Sequence, residues 1–90
     1  MNIQEVLNDR AITHGSFEDY AETMADLTQA INSRMHGLSN VQTQALFMIL
    51  SKIARIINGN PNEIDHWVDI VGYTTLVINY ISSDDESMPL

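Results

Sequence analysis

Residues 52–73 read KIARIINGNPNEIDHWVDIVGY and carry the clearest structural signal in the chain. Turn-forming residues at 58–62 lie in the middle, and apolar side chains at helical spacing flank them on both sides. Because only about five residues join the two periodic segments, the segments should form neighbouring antiparallel helices, as in helical bundles. The sequence therefore predicts a helical hairpin, and the rest of the fold can be worked out from it.

The first half of the chain continues the helical pattern. Residues 3–10 predict a short helix, and residues 11–15 a connector after it. Ser16 and Ser39 are good N-cap residues, and each has an acidic or amide side chain three positions later, which is typical of helix starts. We therefore predict one long helix from Phe17 to just before Gly37 and another after Ser39.

The last helix is predicted to be capped by Asn62 and to end near Ile81. The third helix is apolar over too wide a surface for a one-sided helix, so it is either central or covered by another subunit. The fold class is all-α: a small bundle of three long helices plus a short N-terminal helix, in one domain over residues 1–81. The buried side of the last helix should carry Ile64, Trp67, Val68, Val71, Leu76, Val77, Tyr80 and Ile81.

Size and composition narrow the function classes. A chain of 90 residues forms one domain with a small core, so we expect a homo-oligomer. No apolar run approaches the roughly 20 residues that span a bilayer, and the N-terminus does not look like a signal peptide. We therefore expect a cytoplasmic protein without membrane contact. The absence of cysteine excludes disulfides and thiolate metal sites.

The charge of the chain is strongly negative. Four basic residues against twelve acidic ones give a net charge of −8, which argues against DNA or RNA as a partner. Part of the negative charge lies in residues 82–90, SSDDESMPL, which we predict to be an acidic disordered tail.

The hairpin also holds the candidate site. Counting outward from Asn60 places Arg55 of the third helix opposite Asp65 of the last helix, and Lys52 near Asp69, with Tyr73 one turn further along. Two interpretations stay open. The four charges form salt bridges that only stabilise the hairpin, or the cations bind the phosphates of a ligand while the carboxylates hold Mg²⁺.

A few residues outside this set are also candidates for chemistry. Glu18 and Glu22 could coordinate a metal from one helix, although acidic residues are ordinary at helix starts. Among the histidines, His66 lies beside the hairpin carboxylates and His14 precedes the second helix. Trp67 is predicted to be a core anchor rather than a platform for a base.

Several motifs together resemble a family of small uncharacterised phage and prophage proteins. The resemblance covers residues 10–80 and implies a phage or prophage origin, without an activity that could be carried over. The motifs are Arg10, then HGSF at residues 14–17, KIARI at 52–56, GNP at 59–61 and DHWVDIVGY at 65–73.

A Lys-x-x-Arg helix followed by an Asp-x-x-x-Asp-Ile-x-x-Tyr helix is more distantly similar to the all-α nucleoside triphosphate pyrophosphohydrolases of the MazG type. Those enzymes hold Mg²⁺ around a nucleotide's phosphates with a Glu-Glu-x-x-Glu helix and a Glu-x-x-Asp helix. In this chain His66 stands where the second motif has its glutamate, while Asp69 matches. The resemblance implies a MazG-like bundle that recognises a nucleotide and has a divergent metal site.

The sequence therefore predicts a phage-encoded, oligomeric nucleotide-binding protein, which could sequester a nucleotide-derived signal of host defence. One alternative is a Mg²⁺-dependent MazG-like pyrophosphohydrolase, in which Asp65 and Asp69 hold the metal with support from Glu18 and Glu22. A second alternative is a small adaptor that binds a host protein through its apolar helix and acidic tail. The predicted ligand-binding residues are Arg10, His14, Lys52, Arg55, Asp65, His66, Asp69 and Tyr73.

Overall fold

The computed structural model describes residues 2–84, and this part of the chain contains helices and no strand. The all-α prediction is therefore confirmed, including three long helices after a shorter first one. Residues 85–90, which make up most of the predicted acidic tail, lie outside the described residues. The helices are α1 (Ile3–His14), α2 (Phe17–Asn32), α3 (Asn40–Asn58) and α4 (Ile64–Asp84).

The first helix is longer than predicted. The segment 11–15, expected to be a connector, forms the last turn of α1 and its cap. The N–H of Gly15 donates to the carbonyl oxygen of Ala11 at 2.9 Å, which completes that turn. The helix ends there because Gly15 has a φ of 82° and a ψ of −179°, a conformation that only glycine adopts readily.

Both predicted serine caps are confirmed. The Ser16 hydroxyl accepts a hydrogen bond from the Asp19 N–H at 3.1 Å and starts α2. At the start of α3 the Ser39 hydroxyl accepts from the Gln42 N–H at 3.1 Å, and the Gln42 side chain accepts from the Ser39 N–H at 3.0 Å. This reciprocal pair is a complete capping box.

Two other helix boundaries differ from the prediction. α2 ends at Asn32, well before Gly37. The chain turns there through hydrogen bonds between residues that are close in sequence, such as the one from the Arg34 N–H to the Ile31 carbonyl at 2.9 Å. α4 begins at Ile64, since the N–H of Asn62 donates to the Asn60 side chain at 2.9 Å and so belongs to the turn.

α4 also continues to Asp84, so the first three residues of the predicted tail are helical. Between residues 2 and 84, no helix combines the length and the apolar character that a bilayer crossing requires.

α3 is the central helix. It packs against α1, α2 and α4, whereas in the described part of the chain α2 and α4 do not pack on each other. This central position accounts for the wide apolar surface of α3. The core is nevertheless thin, because Ala45 and Ala54 are the only buried apolar residues among those described, and the molecule measures 52 × 30 × 22 Å.

α4 presents a different side to α3 than the sequence suggested. Its inner face, defined by His66, Ile70, Tyr73, Val77 and Tyr80, is the less exposed one, and His66 is only 3% exposed. Of the eight residues predicted to be buried, six are exposed instead, including Trp67 at 51%. Apolar character does not select the covered side because α4 is apolar on two opposite sides. The six are Ile64, Trp67, Val68, Val71, Leu76 and Ile81.

Candidate anion-binding cleft

An open cleft of about 740 Å³ lies where α1 and the start of α2 meet α3. Arg10, Lys52 and Arg55 line it, together with His14. The whole chain has four lysines and arginines, so three of them converge on one cleft in a protein whose net charge is −8. This local excess of positive charge makes the cleft a candidate site for an anion.

The turn between α1 and α2 sets the shape of the cleft. A Cβ atom on Gly15 would overlap the backbone carbonyl of Asn58, so this turn packs directly on the C-terminal end of α3. The Asn58 amide donates to the Thr23 hydroxyl and to the Ala54 carbonyl, each at 2.8 Å, and thereby holds α2 at the same end of α3. These contacts keep α1 beside the two cations of α3.

A pair of histidines lies under the cleft. Nδ1 of His14 is 3.0 Å from Nε2 of His66, so one ring donates its N–H to the other. Burial lowers the pKa of both histidines, and the positive charges of Arg55 and Lys52 lower both further. Both rings are therefore mainly neutral at pH 7, and a neutral pair suits this contact because two imidazolium rings could not share a hydrogen bond.

Lys52 and Arg55 have different partners. Lys52 Nζ lies 2.9 Å from a carboxylate oxygen of Asp69, as the hairpin arrangement predicted. Arg55 does not pair with Asp65, because its guanidinium lies over the ring of Tyr20, 4.6 Å from the ring centroid. Among the side chains that the structure describes, Lys52 and Asp69 form the only ion pair. Arg55 therefore keeps its charge available at the cleft.

Two aromatic side chains outside the predicted ligand-binding set belong to the cleft. Phe17 is 77% exposed and lies at its edge, with its ring centroid 5.8 Å from that of Tyr20. The Tyr20 hydroxyl lies 2.7 Å from the Ser51 hydroxyl, which fixes the Tyr20 ring under Arg55. An exposed ring beside guanidinium groups offers a surface on which a planar group can stack.

The N-terminus of α2 adds polar groups at the same place. Ser16, its cap, lines the cleft, and the first backbone N–H groups of a helix carry partial positive charge. Glu18 also lines the cleft and contributes one carboxylate to an otherwise basic surface.

The structure brings together half of the predicted ligand-binding set. Arg10, His14, Lys52 and Arg55 line the cleft, whereas His66 lies behind His14 and Asp69 holds Lys52. Asp65 is exposed, and Tyr73 is half-buried on the inner face of α4, so neither lines the cleft.

Sequence reasoning missed both aromatic residues of the cleft, Phe17 and Tyr20. A signal for the cleft was present, because Arg10 and His14 are four residues apart and share one face of α1. That signal was lost when α1 was predicted to end near residue 10.

The described carboxylates are not clustered in the way that the sequence predicted for a metal site. Among the described residues, no group of three or more histidine, aspartate or glutamate side chains is placed to hold a metal ion. The four residues assigned to Mg²⁺ from the sequence therefore do not come together as a ligand set. These residues are Asp65, Asp69, Glu18 and Glu22.

Comparison with known proteins gives one family. No curated protein and no solved structure matches the chain. The family described as "Domain of unknown function (DUF6378)" matches residues 2–80, a range that includes α1, α2, α3 and every residue that lines the cleft. The chain therefore belongs to the DUF6378 family.

Proposed function

We propose that the protein binds a phosphorylated small molecule in the cleft, and that this molecule is a nucleotide or a nucleotide-derived signal. The observation that carries the proposal is the convergence of Arg10, Lys52 and Arg55 in an acidic chain. Asp69 pairs with Lys52, and Tyr20 contacts Arg55, whereas the exposed Arg10 adds a third cation that forms no ion pair with a described carboxylate. An anion between these groups would relieve their mutual repulsion.

Phosphate suits the polar part of the cleft. Arginine presents two N–H groups to phosphate oxygens at once, and lysine adds a compact charge. The N-terminus of α2 at Ser16 offers further backbone donors of the kind that bind phosphate in many proteins. Because burial lowers the pKa of His14, its ring can donate or accept a hydrogen bond there while it stays neutral.

A base suits the aromatic edge of the cleft. Phe17 is exposed, lines the cleft and lies next to Tyr20, so a planar ring can stack on it. The cleft volume of about 740 Å³ is within the range of small-molecule sites, roughly 300–1,000 Å³. In this proposal Phe17, rather than the predicted ligand-binding residue Tyr73, contacts the base.

The resemblance to small phage and prophage proteins extends the proposal to a biological role. A phage-encoded protein that holds a nucleotide signal without converting it would lower the free concentration of that signal in the host cytoplasm. The protein would then act against a defence system that depends on the signal. Sequestration needs binding alone, which the cleft can supply without a metal ion.

Calorimetric titration with mono-, tri- and cyclic nucleotides tests the proposal. We expect saturable binding of at least one class, and binding at least about 10-fold weaker in Arg10→Ala, because a charge-assisted contact contributes about 1.5–3 kcal/mol. The matched control is Arg34→Ala, since Arg34 follows α2, lies outside the cleft and is the remaining basic residue. No heat at millimolar nucleotide, or equal weakening in both variants, would contradict the proposal.

A second titration separates base recognition from phosphate recognition. Phe17→Ala should weaken nucleotide binding by roughly 1–3 kcal/mol through lost stacking, and should leave the affinity for inorganic tripolyphosphate unchanged. Equal losses for both ligands would mean that the cleft recognises phosphate without a base.

The same samples distinguish sequestration from MazG-like hydrolysis. Nucleoside triphosphates incubated with the protein and Mg²⁺ or Mn²⁺ should release no pyrophosphate. If pyrophosphate is released and Asp69→Asn abolishes that release, the protein is a metal-dependent pyrophosphohydrolase and the sequestration proposal fails.

A further inference from the structure

The outer face of α4 is apolar and uncovered. We define it by Ile64, Trp67, Val68, Val71, Ile78 and Ile81, whose exposed fractions run from 49% to 71%. At 3.6 residues per turn these side chains fall on one side of the helix, opposite the inner face. A contiguous apolar surface of this length on a helix is typical of a surface that another helix covers.

Three side-chain donors on or beside this face are already hydrogen-bonded within the chain. The Trp67 indole N–H donates to the Pro61 carbonyl at 2.9 Å. The hydroxyls of Thr74 and Thr75, which lie between the apolar residues, donate to backbone carbonyls of α4 at 2.8 Å each. Covering Trp67, Thr74 and Thr75 would therefore leave each of these donors with its partner, so their burial carries little desolvation cost.

The distribution of charge favours a second copy of the same chain as the occupant. Each copy has a net charge of −8, so two copies repel each other over most of their surfaces. The carboxylates of α4 before its last residue, Asp65 and Asp69, lie outside the outer face. This neutral face is where two such acidic chains can approach without bringing like charges together, and a two-fold axis would pair it with itself.

The chain as a whole also exposes more surface than a compact monomer of its size, as expected of a chain that buries part of its surface against a second copy. The radius of gyration is 16.1 Å, compared with about 12 Å for a compact domain of this length. The accessible surface is 6651 Å², compared with roughly 5,300 Å² for a compact monomer of this mass. The excess is greater than the roughly 800 Å² that each partner contributes to a standard interface.

We infer that two copies of the chain pack through the outer faces of α4 to form a homodimer. Each α4 is then covered on both of its apolar sides, by α3 of its own chain and by α4 of the other. The cleft is lined from α1, α2 and α3, so this inference does not depend on the proposed ligand.

Sedimentation of the full chain tests the inference. Wild-type protein should sediment with twice the chain mass of 10.1 kDa. Ile78→Glu and Val71→Glu each place a carboxylate in the interface, so each should weaken association at least about 100-fold. The matched control is Leu76→Glu, which changes an equally exposed apolar residue of α4 outside the outer face and should leave the dimer intact. Circular dichroism checks that each variant is folded.

Trp67 gives a second measurement that needs no substitution. It is the only tryptophan in the chain and lies on the outer face, so its emission maximum should shift to longer wavelength when dilution separates the dimer. A monomeric wild type at hundreds of micromolar, or emission that shows an exposed tryptophan at every concentration, would overturn the inference. A dimer that survives both glutamate variants, or dissociates equally in Leu76→Glu, would also overturn it.

Discussion

The inner and outer faces of α4 differ in exposure, and the more apolar of the two is the exposed one. The inner face carries His66, Tyr73 and Tyr80 and is covered by the bundle, whereas the outer face is apolar and exposed. In a bundle complete within one chain, the most apolar side of a helix faces the core. The difference teaches that α4 has two surfaces suited to burial and that one chain covers only one of them. The inner face is held by specific polar contacts rather than by the largest apolar area.

The largest effect should come from breaking the inner face at His66. His66→Lys places a third cation near Lys52 and Arg55 at a position that is 3% exposed, so it should destabilise the fold by about 3–5 kcal/mol. Leu76→Lys, at an exposed position of the same helix, should cost about 0.5 kcal/mol or less. Urea denaturation measures both. Similar losses of stability in the two variants would show that the inner face is no more sensitive to an added charge than the exposed side of α4.

A somewhat smaller effect is expected at Gly15, which positions the helix that covers His66. Gly15→Ala forces a side chain into a backbone conformation that only glycine adopts readily, and onto the Asn58 carbonyl. We expect a loss of about 2–4 kcal/mol in urea denaturation. Gly37→Ala, at a positive φ with nothing nearby, should cost less because it adds backbone strain without overlap. A Gly15→Ala variant as stable as wild type would show that α1 does not pack as described.

Lowering the pH should weaken the contacts of the inner face and should leave those of the outer face unchanged. The pKa values of His14 and His66 lie below 6.5 in the folded protein, so at pH below about 6.5 the unfolded chain binds protons that the folded chain does not. The free energy of unfolding should therefore fall as the pH drops from 7 towards 5, and should not depend on this pair above pH 7.

Chemical denaturation across this range, compared between wild type and His14→Gln, isolates the contribution of the pair. Burial, Lys52 and Arg55 lower the pKa of both histidines, and Arg10 also lowers that of His14, whereas Glu63 and Asp69 raise the pKa of His66. Equal pH dependence in wild type and His14→Gln would assign the effect to groups other than the two histidines.

The smallest effect is expected at the edge between the two faces, where Asp69 pairs with Lys52. The Asp69 side chain is 44% exposed, so water screens the pair and Asp69→Asn should cost less than about 1 kcal/mol. A double-mutant cycle with Lys52→Met measures the coupling in urea. A coupling above about 2 kcal/mol would mean that this ion pair, rather than His66, is the main polar contact of α4.

Local signals in the sequence predicted most helix starts but not every helix end. Ser16 and Ser39 were recognised because a cap depends on residues within three positions. The end of α1 was missed because the helix is largely exposed and Asp9 and Arg10 are polar. No apolar stripe therefore marks its continuation beyond these residues. The glycine that ends α1 was visible at position 15, but it was assigned to a connector.

The covered side of α4 could not be read from apolar spacing. Two opposite sides of the helix satisfy the same periodicity, and the one with more apolar residues is the exposed one. What decides the covered side is tertiary: His66 meets His14, a residue 52 positions earlier in the chain. Such a contact has no signature in local sequence.

The same reasoning explains which residues of the candidate site could be predicted. Lys52 and Asp69 were paired correctly because a short turn fixes the register of a helical hairpin. Arg55 was assigned to Asp65 by the same counting, but the ring of Tyr20 on α2 competes for it. Phe17 was not predicted as a site residue because its spacing is that of an ordinary amphipathic helix, and only the crossing of α1 over α3 turns that position into the edge of a cleft.

The attachment of α1 has a consequence for how the cleft behaves in solution. His14 and Gly15 hold its C-terminal end, while Ile3 and Leu7 near its other end are 72% and 51% exposed. A helix anchored at one end can unfold locally without global unfolding, so its amide protons should exchange faster than those of α3. Because Arg10 lies on this helix and Arg55 on α3, a bound anion would bridge a weakly held element to the central one. Slower amide exchange confined to α1 would then report occupancy of the cleft.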